Sequence, residues 1–124
     1  MTTPHILVVD DNLMNLDLMR FVLSEDDFEV ESAEYAREAL EKIPTFQPDL
    51  ILMDMHMPGM NGLELTQLIK ANLATQHIVV IAFTASAMQG DKECMMATGC
   101  DGYLSKPIDV DTFSASVSAF LPAR

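Results

Sequence analysis

Basic residues are scarce in this chain: seven Lys and Arg stand against nineteen Asp and Glu, a formal net charge of −12 over 124 residues. So negative a surface repels the nucleic-acid backbone and anionic headgroups alike, which argues against direct nucleic-acid or membrane binding. Cysteine is nearly absent. Cys94 and Cys100 lack both the CxxC spacing of redox and zinc sites and the numbers of a disulfide framework, so both are expected to be reduced and buried, in a cytoplasmic protein. Long apolar stretches are missing too: the uncharged run Ile78 to Gln89 contains Thr84 and Ser86 and is too short to cross a bilayer. No basic segment followed by an apolar one marks a secretory leader. Proline- or glycine-rich linkers, low-complexity tracts and internal repeats are also lacking, so one domain over residues 1–124 is expected, with no output domain.

What the chain does have is a regular alternation of short apolar runs and helical stripes. His5 to Val9 and Leu50 to Met53 are continuous apolar segments, the pattern of strands buried on both faces, and Ile78 to Phe83 is a third. Phe28 to Ser32 alternates, as an edge strand does, and Asp101 to Ser105 is short. Between them, Leu16, Met19 and Leu23, with Arg20 as a polar exception, predict a helix capped by Asp11 or Asn12. Ala36, Ala39, Leu40 and Ile43 predict a second, which Pro44 and Pro48 should bracket at its end, and Leu63, Leu65, Leu68 and Ile69 a third. A helix over 87–98 is expected to be the most mobile, because Gly90 lies inside it and its apolar positions fit the helical period poorly; Gly99 can close it. Val110, Phe113, Val117, Phe120 and Leu121 mark the last helix. Five strands alternating with five helices predict an α/β domain, a doubly wound (βα)5 flavodoxin-like fold with parallel strand order 2-1-3-4-5.

In such a sheet all the strand ends lie on one edge. The residues there are Asp10 and Asp11, Asp54, Thr84, and Lys106 followed by Pro107: three carboxylates, a hydroxyl and an ammonium. Two like charges about 4 Å apart cost roughly 4 kcal/mol at an effective dielectric of 20, so the carboxylate cluster must protonate or bind a cation. An all-oxygen donor set suits a hard ion, Mg²⁺ or Mn²⁺. Asp54, on the central strand, is the natural nucleophile toward a phosphoryl group, giving an aspartyl phosphate.

Taken singly, each of these residues has an ordinary reading: an acidic pair as helix cap and solvated neighbour, a threonine as a strand-end hydroxyl, Tyr103 as a half-buried aromatic. Their coincidence on neighbouring strands reverses that. Four motifs in order, VVDDN (Val8 to Asn12), DLILMDMHMPGMNG (Asp49 to Gly62), FTAS (Phe83 to Ser86) and GYLSKPI (Gly102 to Ile108), resemble those of response-regulator receiver domains, over essentially the whole chain. VVDDNLMN and the segment up to SKPI most resemble phosphorelay single-domain regulators and hybrid-kinase receivers. The resemblance implies Asp54 as phosphoacceptor, Asp10, Asp11, Asp54 and the His56 backbone carbonyl as Mg²⁺ ligands, and Thr84 and Lys106 as phosphoryl-sensing groups. It also implies Tyr103 as a switching aromatic and a cis Lys106-Pro107 bond that aims the lysine. The partner would be a sensor histidine kinase or a histidine phosphotransfer protein, and Met14, Asn15 and Leu18 on the first helix would dock it.

Two other functions compete. A Mg-dependent phosphohydrolase working through an aspartyl phosphate, of the haloacid dehalogenase type, wants a second acid two residues past the nucleophile, where this chain has His56, and there is no spare length for a cap. A flavin or nucleotide binder wants a glycine-rich first turn, where this chain has Asp10-Asp11-Asn12. A receiver excised from a hybrid histidine kinase is a variant of the leading reading. The chain itself would not be an enzyme beyond Mg-dependent self-phosphorylation and slow self-dephosphorylation.

Overall fold

The computed structural model describes residues 4–25, 28–54, 62–84, 99–105 and 111–121, with the backbone alone for Gly62, Leu63, Thr84 and Ser105. Its elements are β1 (His5–Val9), α1 (Leu13–Glu25), β2 (Glu29–Ala33), α2 (Ala36–Phe46), β3 (Leu50–Asp54), α3 (Gly62–Ala71), β4 (Val79–Thr84), β5 (Gly102–Ser105) and α4 (Phe113–Phe120). The strands form one parallel sheet in the order β2-β1-β3-β4-β5. This is the flavodoxin-like arrangement expected from the alternation of elements. The helix expected over 87–98 lies outside the described residues, as do Cys94 and Val110.

Period-two alternation explains why β1, β3 and β4 read as unbroken apolar runs. Leu7 and Val9, Ile51 and Met53, and Val80 and Ala82 point to one side, where they pack with Ala36, Ala39 and Ile43 of α2 and Leu65 and Ile69 of α3. Ile6 and Val8, Leu50 and Leu52, and Ile81 and Phe83 point to the other, where Leu16, Met19, Val22 and Leu23 of α1 and Phe113 and Val117 of α4 cover them. Each central strand is thus buried on both faces. On α1 the exposed Arg20 falls between stripe residues, and Val22 completes the buried face.

Several boundaries differ from the sequence expectation. β2 starts at Glu29 and runs to Ala33, because the parallel register with β1 carries pairing through Val9 and Ala33. β3 includes Asp54, which pairs with Phe83, while β4 begins at Val79 and β5 at Gly102. The end of α2 falls between Pro44 and Pro48, as expected, with Pro44 inside the last turn. A proline there has no N–H to donate back along the helix and crowds the carbonyl one turn earlier, yet the helix runs on to Phe46 and closes at Gln47, whose backbone is left-handed (φ 53°) and whose N–H donates to the Ile43 carbonyl at 2.9 Å.

Candidate functional site

Asp10 follows β1 directly and is fully buried. Its N–H donates to the Ala33 carbonyl at 3.1 Å, which fastens the exit of β1 to the end of β2. Asn12 then turns the chain into α1. Its side-chain oxygen accepts the Met14 N–H at 2.9 Å and the Asn15 N–H at 3.2 Å, so Asn12 rather than Asp11 is the cap. Asp11 is exposed, and its carboxylate joins those of Asp10 and Asp54 in a cluster in which one oxygen from each lies within 4.8 Å of the others. Asp54, the last residue of β3, is 4% exposed. Adjacent parallel strands β1 and β3 end on the same edge, which is how residues so far apart in sequence come together.

Both oxygens of Asp10 are engaged. Oδ1 accepts the Asn12 N–H at 2.9 Å, and Oδ2 accepts the Asn15 side-chain amide at 3.4 Å. The cluster offers hard oxygen donors alone, two of the three carboxylates being buried, and this chemistry fits Mg²⁺ or Mn²⁺.

The remaining expected residues divide as follows. Thr84 closes β4, opposite Ser105 in the register with β5, on the same edge as the carboxylates. Tyr103 is half-buried in β5 and packs against the core between the sheet and α2–α3. His56, Lys106 and Pro107 lie outside the described residues, as does Ser86. On α1, Met14 is 81% and Leu18 37% exposed, whereas Asn15 is half-buried with its amide turned to Asp10. Phe21, seven residues from Met14 and three from Leu18, is 66% exposed one further turn along the same face.

A family model described as the response regulator receiver domain matches residues 6–118. The chain belongs to that family. The polar-differentiation response regulator DivK of Brucella ovis is 39% identical to it over 119 residues, covering 96% of this chain and 97% of DivK. Among solved structures, the Vibrio cholerae chemotaxis protein CheY4 matches with a TM-score of 0.92 at 27% identity, over 97% of this chain and all of that one. A CheY-like receiver domain protein of Methanospirillum hungatei matches with a TM-score of 0.84 at 30% identity, over 95% of this chain and 93% of the other. This receiver is thus a two-component response-regulator domain of the CheY and DivK kind. Among the described residues no helix is long and apolar enough to cross a membrane.

Proposed function

We propose that this receiver takes a phosphoryl group from a phosphohistidine of a sensor kinase or a histidine phosphotransfer protein onto Asp54, and that the phosphorylated chain alters its protein contacts or passes the group on. The observation that carries this reading is the convergence of the Asp10, Asp11 and Asp54 carboxylates within 4.8 Å at the carboxyl edge of the sheet. An Asp54 oxygen attacks phosphorus, the P–N bond breaks, and the imidazole departs with its electron pair and takes up a proton. Mg²⁺, held by Asp10, Asp11, Asp54 and the His56 backbone carbonyl, would neutralise charge on the phosphoryl oxygens. Thr84 donates its hydroxyl hydrogen bond and Lys106 its charge to those oxygens, with Pro107 aiming the lysine and Tyr103 following Thr84. The domain spans 1–124 and acts in the cytoplasm as a signalling module, its only chemistry being its own phosphorylation and slow dephosphorylation.

The test is incubation of the intact chain with Mg²⁺ and a small phosphodonor such as acetyl phosphate, or with beryllofluoride, followed by intact mass and NMR. One acid-labile phosphoryl group per wild-type chain and none on Asp54→Asn is expected. Incorporation by Asp54→Asn at the wild-type level would assign the nucleophile elsewhere, and sustained turnover of many phosphate esters would make the protein a hydrolase.

A further inference from the structure

We propose that Asn15 is a positioning residue for the divalent cation: its side-chain amide holds the Asp10 carboxylate in the orientation that cation binding needs. This rests on the reading of the acidic cluster as the cation site, and adds to it a residue whose expected role lay elsewhere, in partner docking.

The geometry follows from where α1 starts. With Asn12 as cap, Asn15 is the third helical residue, and helical side chains tilt toward the N-terminus, so the Asn15 amide reaches back over the first turn. At this position a polar side chain commonly reaches the cap's own backbone. Here it reaches two residues further, to Oδ2 of Asp10 at 3.4 Å, while the Asn12 N–H holds Oδ1 at 2.9 Å. One backbone donor and one side-chain donor therefore fix the rotation of a carboxylate that is fully buried. A carboxylate oxygen can accept from more than one direction, so a bond to an asparagine does not by itself bar it from a cation. Outer groups of this kind orient metal ligands, and their loss commonly weakens metal binding by about ten-fold or more. The two asparagines divide the work: Asn12 builds the helix start and Asn15 uses it.

The experiment titrates Mg²⁺ alone into the metal-stripped intact chain, following backbone and side-chain amide signals by NMR. Wild type, Asn15→Leu and Asn15→Gln are compared, with thermal melting in EDTA run alongside. Leucine matches asparagine in size but cannot donate, and its dissociation constant for Mg²⁺ is expected to rise about ten-fold. Glutamine keeps the amide and is expected to stay within about three-fold of wild type, because it loses only the fit of a shorter side chain. In wild type the Asn15 amide protons are expected to shift on adding Mg²⁺, and rescue by glutamine separates a positioning role from a purely structural one. The inference is overturned if Asn15→Leu binds Mg²⁺ as wild type does, if Asn15→Gln is as weak as Asn15→Leu, or if the affinity loss appears only in chains that have also lost their fold in EDTA. A wild-type chain that binds no Mg²⁺ removes the cation-site reading itself, before any variant is compared.

Discussion

The Lys70 ammonium lies 2.8 Å from the Asp101 carboxylate, and each partner also holds main chain of the neighbouring strand. Lys70 Nζ donates to the Ile78 carbonyl at 2.7 Å, and the same Asp101 oxygen accepts the N–H of fully buried Val80 at 2.9 Å. The end of α3 and the starts of β4 and β5 are thereby tied at one point. As a half-exposed ion pair alone it would contribute under about 1 kcal/mol. Asp101→Ala is expected to cost about 2 kcal/mol, because it also strips the acceptor from a buried N–H. Asp101→Asn, which keeps an acceptor oxygen, should cost about half as much. Urea unfolding of the variants decides between the two contributions: equal losses for Ala and Asn would place the effect in the charge alone.

Gly102 in β5 lies against the Phe120 ring of α4. A Cβ added there would come 2.8 Å from Phe120 Cζ and closer still to Cε1. Overpacking of this kind costs about 1–3 kcal/mol, so Gly102→Ala should lower the melting temperature. Glycine is otherwise a poor strand residue, so in a Phe120→Leu background the same change should be neutral or stabilising. A loss of equal size in both backgrounds would point away from the ring and toward the strand itself.

Asp11 is the exposed member of the carboxylate cluster, and its neutralisation should reverse sign with metal. Without a divalent ion, Asp11→Asn relieves like-charge repulsion and the chain should melt at or above the wild-type temperature, the gain being limited by solvent screening. With Mg²⁺ at ten times its dissociation constant, wild type gains about 1.4 kcal/mol and the variant much less, so the order inverts. Melting curves in EDTA and in Mg²⁺ check this. Curves that keep the same order in both buffers would remove Asp11 from the cation site.

The strands were legible because their burial on both faces leaves unbroken apolar runs ending in polar residues, and sheet order followed from short right-handed connections. The sequence pattern alone therefore brings three carboxylates to one edge of the sheet. Pro44 and Pro48 bracket the end of α2, so that boundary was legible as well, with Pro44 inside the last turn and Pro48 just past the Gln47 cap. The aim of the Asn15 amide toward Asp10 was not legible, because it depends on which residue caps α1, and the sequence leaves Asp11 and Asn12 equivalent. The Lys70–Asp101 tie spans 31 residues and depends on where β4 and β5 begin, boundaries that periodicity sets only to within a residue.

Met14, Leu18 and Phe21 recur at helical spacing along the exposed side of α1, with Met14 81% and Phe21 66% open to solvent. Residues so exposed contribute little to folding, so Phe21→Ser should change stability by no more than about 0.5 kcal/mol. If this face receives the phosphodonor, its aromatic ring is a natural anchor, and losing it should slow transfer from a histidine phosphoprotein by about ten-fold. Phosphorylation by acetyl phosphate needs no protein docking and should proceed at the wild-type rate. Comparing the two donors on one variant separates recognition from chemistry. Equal slowing with both would mean that the substitution has disturbed the Asp54 site through α1, and no slowing with the protein donor would place docking on another face.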